Sequence, residues 1–242
     1  MLSSPTSARE SKEGHVDAKT SITAFVDSSI DQIIEWAAIE PDKVLQEFRV
    51  AGFRCSDGRE IQSIDDVGDA RLGDAEKVAK RFIKTYTKLA AGQGFVTGLG
   101  GLITLPASVP ADAAAYVGWL ARTSSAVQLS YGFEHRTETA DSQLKLAMLA
   151  GAGVTTVTVQ GAEILVTQLA KKVVTTPYHS APVQAAVKAL AAKVGITLTH
   201  KSFAKAVPLV GGAVNGSVQG GLVNFGGRRI LSYYQELARL GA

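Results

Sequence analysis

The sequence predicts an all-α protein, a multi-helix bundle with tightly packed Gly-rich helices. Three observations predict it. Apolar residues recur at the 3.6-residue helical period between Pro and Gly stop signals, and no stretch reads as a convincing hairpin. Three long stretches, Leu89–Ala111, Leu146–Ala162 and Ala206–Gly227, carry no charge, so most of their surface has to be hidden. Glycine recurs every four residues in two of them, at Gly94 and Gly98 and at Gly212, Gly216 and Gly220, which aligns these positions on one side of a helix. Glycine inside a helix costs about 1 kcal/mol against alanine, and the gain that offsets it is close approach of a neighbouring backbone.

The elements follow in order. The first 20 residues, MLSSPTSARESKEGHVDAKT, hold no apolar run and read as a disordered leader. From Ser21, the positions Ile22, Phe25, Val26, Ile30, Ile33, Ile34 and Ala37 keep a helical rhythm until Pro41, and Asp42–Val50 suits a short second helix. Arg54–Asp69 reads as a polar connector with a turn, so residues 21–74 form an N-terminal helical extension and residues 75–242 the main helical domain. Asp74 can cap a helix running to Ala91, with Val78, Phe82, Ile83, Tyr86 and Leu89 as its apolar face and Lys77, Lys80, Arg81, Lys84 and Lys88 around the other side. Pro110 suits the first turn of an Ala-rich helix over Ala111–Leu129, ended by Tyr131-Gly132. A further helix starts near Thr139 or Asp141 and runs toward Lys172, with strand as the competing reading around the β-branched cluster Val154–Val159. Ala181–Val194 is helical up to Gly195, and a last helical region runs from Pro208 to Leu240.

Composition excludes several classes. With 46% apolar and 19% charged residues in 242, the chain is neither disordered nor a disulfide-stapled miniprotein, and its one cysteine, Cys55, rules out a disulfide framework. Two of the uncharged stretches approach spanning length, but Gln93, Pro106 and Pro110 interrupt the first and Asn215, Ser217, Gln219 and Asn224 the third, which favours buried helices over bilayer spans. Nucleotide loops fail on spacing. There is no G-x-x-x-x-G-K-[ST], and GQGFVTG places three residues where G-x-G-x-x-G needs two.

Catalysis has little support. His15, His135, His179 and His200 are far apart and none belongs to a helical ligand pair, so no metal or other cofactor is expected. There is no G-x-S-x-G, and Cys55 has no evident base. Asp112 reads first as the third residue of a helix beginning at Pro110, where a carboxylate meets the positive dipole end, and second as a ligand group. Glu163, alone among apolar neighbours, reads as half of a buried pair with Lys145, Arg122, Arg228 or Arg229, or as a group lining an apolar ligand pocket with Asp112.

Charge is uneven along the chain. Residues 1–88 carry 13 Lys and Arg against 16 Asp and Glu, whereas residues 89–242 carry 12 against 6. Between Lys145 and Arg229 nine bases are answered only by Glu163, and Lys171, Lys172, Lys201, Lys205, Arg228 and Arg229 are the candidates for a surface that meets an anionic partner. Aromatic residues do not interleave these bases, so nucleic acid is not the expected partner.

The runs GFVTGLGGLITLPASVPADAAAYVGWLAR and VPLVGGAVNGSVQGGLVNFGGRRILSYYQEL, at residues 94–122 and 207–237, resemble the EcsC protein family, with the likeness extending over about residues 75–240. The shared pieces are a Gly-rich segment leading to Pro110, Ala111 and Asp112, and a Val-Pro-x-Val-Gly-Gly segment, Val207–Gly212, ending at Gly227, Arg228 and Arg229. The resemblance implies an all-helical bacterial protein whose namesake accompanies an ABC transporter and is tied to secretion, and it transfers no catalytic residue. The expectation is a cytoplasmic, non-enzymatic protein that meets an anionic inner-membrane surface or a membrane-protein partner. The alternatives are a helical enzyme or receptor with an apolar ligand, and an adaptor recruited through its N-terminal segment. The oligomeric state is not legible.

Overall fold

Apolar periodicity and its stop signals lead to five packed helices, which the computed structural model describes over residues 32–98, 105–133, 138–153 and 208–239. They are α1 (Pro41–Val50), α2 (Leu72–Gly98), α3 (Leu105–Ser130), α4 (Glu138–Gly151) and α5 (Pro208–Arg239). Residues 32–37 are also helical, and the earlier part of the expected first helix lies outside the described residues. No strand occurs among the described residues beyond two isolated bridges, Arg54 with Glu60 and Cys55 with Ala70.

Pro41 begins α1 because a missing N–H costs nothing in a first turn, and Val44, Leu45 and Phe48 bury one stripe of it. The segment after α1 is more ordered than a connector with a turn. A 3-10 helix, Asp65–Asp69, closes a small knob in which Arg59 bonds Asp57 at 2.6 Å and Asp69 at 3.0 Å. The Asp66 carboxylate accepts the N–H groups of Ser63 and Gln62 at 2.8 and 3.0 Å, and these bonds hold its carboxyl below the usual carboxylate range. Cys55, Ile61 and Val67 turn into the same core as α1 and α2.

The helices run longer or shorter than their punctuation suggests. α2 extends past Ala91 through Gly98. α3 begins at Leu105 rather than Pro110, since Pro106 already fills the early position that tolerates a missing N–H. Asp112 is therefore the eighth residue of α3, beyond the first turn in which it was expected to meet the helix dipole. α4 stops at Gly151, well short of Lys172, where Gly153 turns left-handed with φ +71° and its N–H reaches the Ala150 carbonyl. The Val154–Val159 cluster and the expected helix at Ala181–Val194 lie outside the described residues.

α3 is the central rod. Nearly every residue from Tyr116 to Tyr131 is buried, including Thr123, Ser124, Ser125, Gln128 and Ser130. Three of these polar residues tie α3 to its surroundings: Ser125 Oγ accepts the Ile39 N–H at 3.2 Å, Gln128 donates to the Ala140 carbonyl at 3.2 Å, and Ser124 lies 3.4 Å from the Tyr234 hydroxyl.

The α2–α5 pairing is the most extensive contact among the described helices. A methyl group added at Gly220 would lie 2.9 Å from Ala91 Cβ and 3.1 Å from the Thr87 carbonyl oxygen, and one at Gly227 would lie 2.7 Å from Ile83 Cγ2. Advancing along α5 thus retreats along α2, and the pair is antiparallel. Continuing this register brings Gly216 level with Gly94, both buried, and Gly212 level with Gly98. Gly226 packs on Leu120 of α3 and on the Gly151 carbonyl of α4, so the bundle closes behind α5.

Candidate functional site

The antiparallel register divides the α2–α5 pair into two sides. In such a pair, the residue following each contact residue turns to the same side on both helices, and the residue preceding it turns to the other. The preceding residues, Phe82, Tyr86 and Ala90 on α2 and Gln219 and Gly226 on α5, are buried against the rest of the bundle. The following residues, Lys84, Lys88 and Gly92 on α2 and Gly221 and Arg228 on α5, are all exposed. Nothing lies within 4 Å of a methyl added at Gly92 or Gly221, so this side of the pair is open.

The open side is basic. Along α2, Lys77 pairs with Asp74 at 2.7 Å, Lys80 with Glu76 at 2.5 Å and Arg81 with Glu47 at 3.4 Å, but Lys84 and Lys88 have no ion pair among the described residues. Arg228 has none either. By the shared register these three cations fall within six residues of one another along the axis, about 9 Å at the helical rise. Arg229, one residue on, is half-buried. Its guanidinium stacks 4.2 Å from the Phe225 ring centroid and lies beside Gly153, at the C-terminal end of α4, where a cation complements the helix dipole.

The same packing polarises the molecule along its axis. α3 runs parallel to α5, with Leu120 at Gly226 and Ser124 at Tyr234, and α4 runs antiparallel to both. One pole therefore collects the C-terminal part of α2 beyond Lys88, the start of α3, the end of α4 and the start of α5, and in these segments Asp112 is the only charged residue. The opposite pole carries the knob with Asp57, Glu60, Asp65, Asp66 and Asp69, seated against the end of α3 where Gly68 meets Gly132.

Of the basic candidates read from the sequence, Arg228 and Arg229 are described, while Lys171, Lys172, Lys201 and Lys205 lie outside the described residues, as do Glu163 and all four histidines. The side-chain surroundings of Asp112 lie outside them too. Lys145, counted in the basic run, is 6% exposed and belongs to the interior of the bundle. Sequence reasoning recognised the basic flank of α2 but missed that Lys84 and Lys88 are its unpaired members. The signal was the absence of an acid four residues before either of them, in contrast to Glu76 before Lys80.

No cluster of three or more metal-ligating side chains occurs among the described residues. Cys55 is buried, its sulfur 3.7 Å from the Asp66 carbonyl oxygen. Burial pushes the Tyr86 and Tyr116 hydroxyls up to about 12, which keeps them neutral hydrogen-bonding groups rather than bases. Three side chains present a different feature: both polar atoms of Gln219, Thr87 Oγ1 and the Tyr233 hydroxyl are buried without a hydrogen-bond partner. No described helix is long and apolar enough to cross a membrane.

No curated protein and no solved structure matches the chain. A family model does: the one described as the EcsC protein family matches residues 17–228. The match starts well before the motifs that carry the resemblance and takes in α1 and the knob as well as α2 to α4 and most of α5. Over nearly its whole described length, the chain belongs to the EcsC protein family.

Proposed function

We propose that the protein is a non-enzymatic, membrane-surface protein that docks reversibly on an anionic leaflet, in a role accessory to a membrane transport or secretion system. The observation that supports this most is the axial polarity: antiparallel packing gathers the uncharged parts of four helices at one pole and leaves the acidic knob at the other. An uncharged pole with cations behind it suits a surface of apolar and anionic layers, and the acidic knob is then held in water, away from like charge. The helices lie against the leaflet without spanning it, in keeping with the absence of a spanning helix among those described.

Sedimentation with phosphatidylcholine vesicles, with and without phosphatidylserine, tests the proposal. Binding to the anionic vesicles that weakens as salt rises supports it, and equal, negligible binding to both rejects it.

A second reading, a receptor for a small apolar ligand with polar groups, rests on Gln219. Gln219 lies two turns before Gly226, which meets Leu120 of α3, the helix that also carries Asp112, and its buried amide has no partner. A ligand-induced rise in melting temperature that is lost in Asp112→Ala would favour it.

A further inference from the structure

The open side of the α2–α5 pair has a composition that the rest of the described surface lacks. It presents three unpaired cations, Lys84, Lys88 and Arg228, and no carboxylate between them. Toward the uncharged pole it continues as Gly92, Gly221 and the exposed Ser217, which leave two helix backbones close to whatever lies on them. Away from that pole it passes into the paired bases Lys80 and Lys77. Phe225, 54% exposed, stands at its edge one turn from both Gly221 and Arg228. The order along the axis is uncharged backbone, then unpaired cations, then neutralised cations.

We propose that this side of the α2–α5 pair is the surface that rests on the membrane, with Lys84, Lys88 and Arg228 meeting lipid phosphates and the uncharged helix ends beyond them meeting the headgroup boundary. The inference rests on the docking proposed above and adds which surface carries it. Charge complementarity selects the occupant. Three bases spread over two helices match a leaflet of many mobile anionic headgroups, whereas a single-stranded nucleic acid would call for stacking aromatics among the bases, and among the described residues Phe225 alone is exposed beside them. Small residues at positions 92, 217 and 221 allow approach to a plane without insertion of bulky side chains.

The test compares the full chain with a triple variant, Lys84→Glu, Lys88→Glu and Arg228→Glu, and with a control of equal charge change, Lys43→Glu, Arg71→Glu and Arg239→Glu, on phosphatidylserine-containing vesicles. The expected result is a loss of about a hundredfold in partitioning for the first variant and less than about threefold for the control. Equal losses in the two variants would mean that net charge acts without a specific surface, and would overturn the inference. So would full binding by the first variant while the unaltered chain binds, although peripheral docking itself would then stand. Failure of the unaltered chain to bind any vesicle ends both. Should the reversed variant not fold, the neutral set Lys84→Gln, Lys88→Gln and Arg228→Gln keeps the test decisive, with an expected loss of at least about tenfold.

Discussion

Gly220 and Gly221 are neighbours with opposite roles. A methyl at Gly220 meets Ala91 Cβ at 2.9 Å and a backbone carbonyl at 3.1 Å, neither of which can swing aside, whereas a methyl at Gly221 meets nothing within 4 Å. Gly220→Ala should therefore destabilise by about 1–3 kcal/mol through overpacking, and Gly221→Ala should stabilise by about 0.5–1 kcal/mol through helix propensity, both read from urea unfolding. Gly227→Ala should cost about as much as Gly220→Ala, because the Ile83 Cγ2, Cγ1 and Cβ that it meets at 2.7, 3.0 and 3.4 Å are the stiff, branched near end of a buried side chain. Gln219 offers a different residue-scale test. Its amide is buried and unpaired, so Gln219→Met should leave stability unchanged or raise it, with thermal unfolding as the readout. In the knob, the depressed Asp66 carboxyl stabilises the fold at neutral pH, and that contribution is lost as pH falls through its folded value, below the ordinary 3.8. Asp66→Asn should be less stable than the unaltered chain near neutrality, and the two should converge in strong acid.

The stretch of α3 from Tyr116 to Ser130 shows how a nearly fully buried helix can still fix its neighbours. Its Ser124, Ser125 and Gln128 answer backbone groups of other segments, those of Leu144, Ile39 and Ala140. Ser125 accepts the buried Ile39 N–H, and Arg122 donates to the Ala37 carbonyl at 3.3 Å while its guanidinium lies 5.9 Å from the Trp36 ring centroid. Ser125→Ala should leave the Ile39 amide unpaired, at a cost of about 1–3 kcal/mol, and hydrogen exchange should show faster exchange at Ile39 with α2 and α5 unchanged. Element identity was legible from periodicity, because amphipathic faces such as that of α2 obey one rule along their length. The boundaries were less so. Pro110 drew the start of α3 toward itself although Pro106 can take the early position, and the end of α4 depends on a left-handed Gly153 whose backbone angle has no counterpart in hydrophobic spacing. The turn in the knob was legible, but its order comes from Asp66 and Arg59 bonding across it, a pattern of contacts that composition cannot reveal.

For the whole molecule, the sequence showed that glycine recurs in two uncharged stretches, and folding makes those two stretches partners. One register, anchored at Gly220 and Gly227, then decides which bases share a surface. That is why Arg228 could be singled out from the sequence while its companions Lys84 and Lys88, some 140 residues earlier, could not: they reach the same surface only through the antiparallel crossing. The docking proposed above sets this surface, with the uncharged pole beside it, against the membrane and keeps the acidic knob in water. Because the native Cys55 is buried, a cysteine at an exposed position can be labelled selectively with an environment-sensitive fluorophore. With the label at Gly221→Cys and, separately, at Asp65→Cys in the knob, addition of phosphatidylserine vesicles should shift the emission of the first to the blue and leave the second unchanged. A blue shift at Asp65→Cys with none at Gly221→Cys would overturn this orientation.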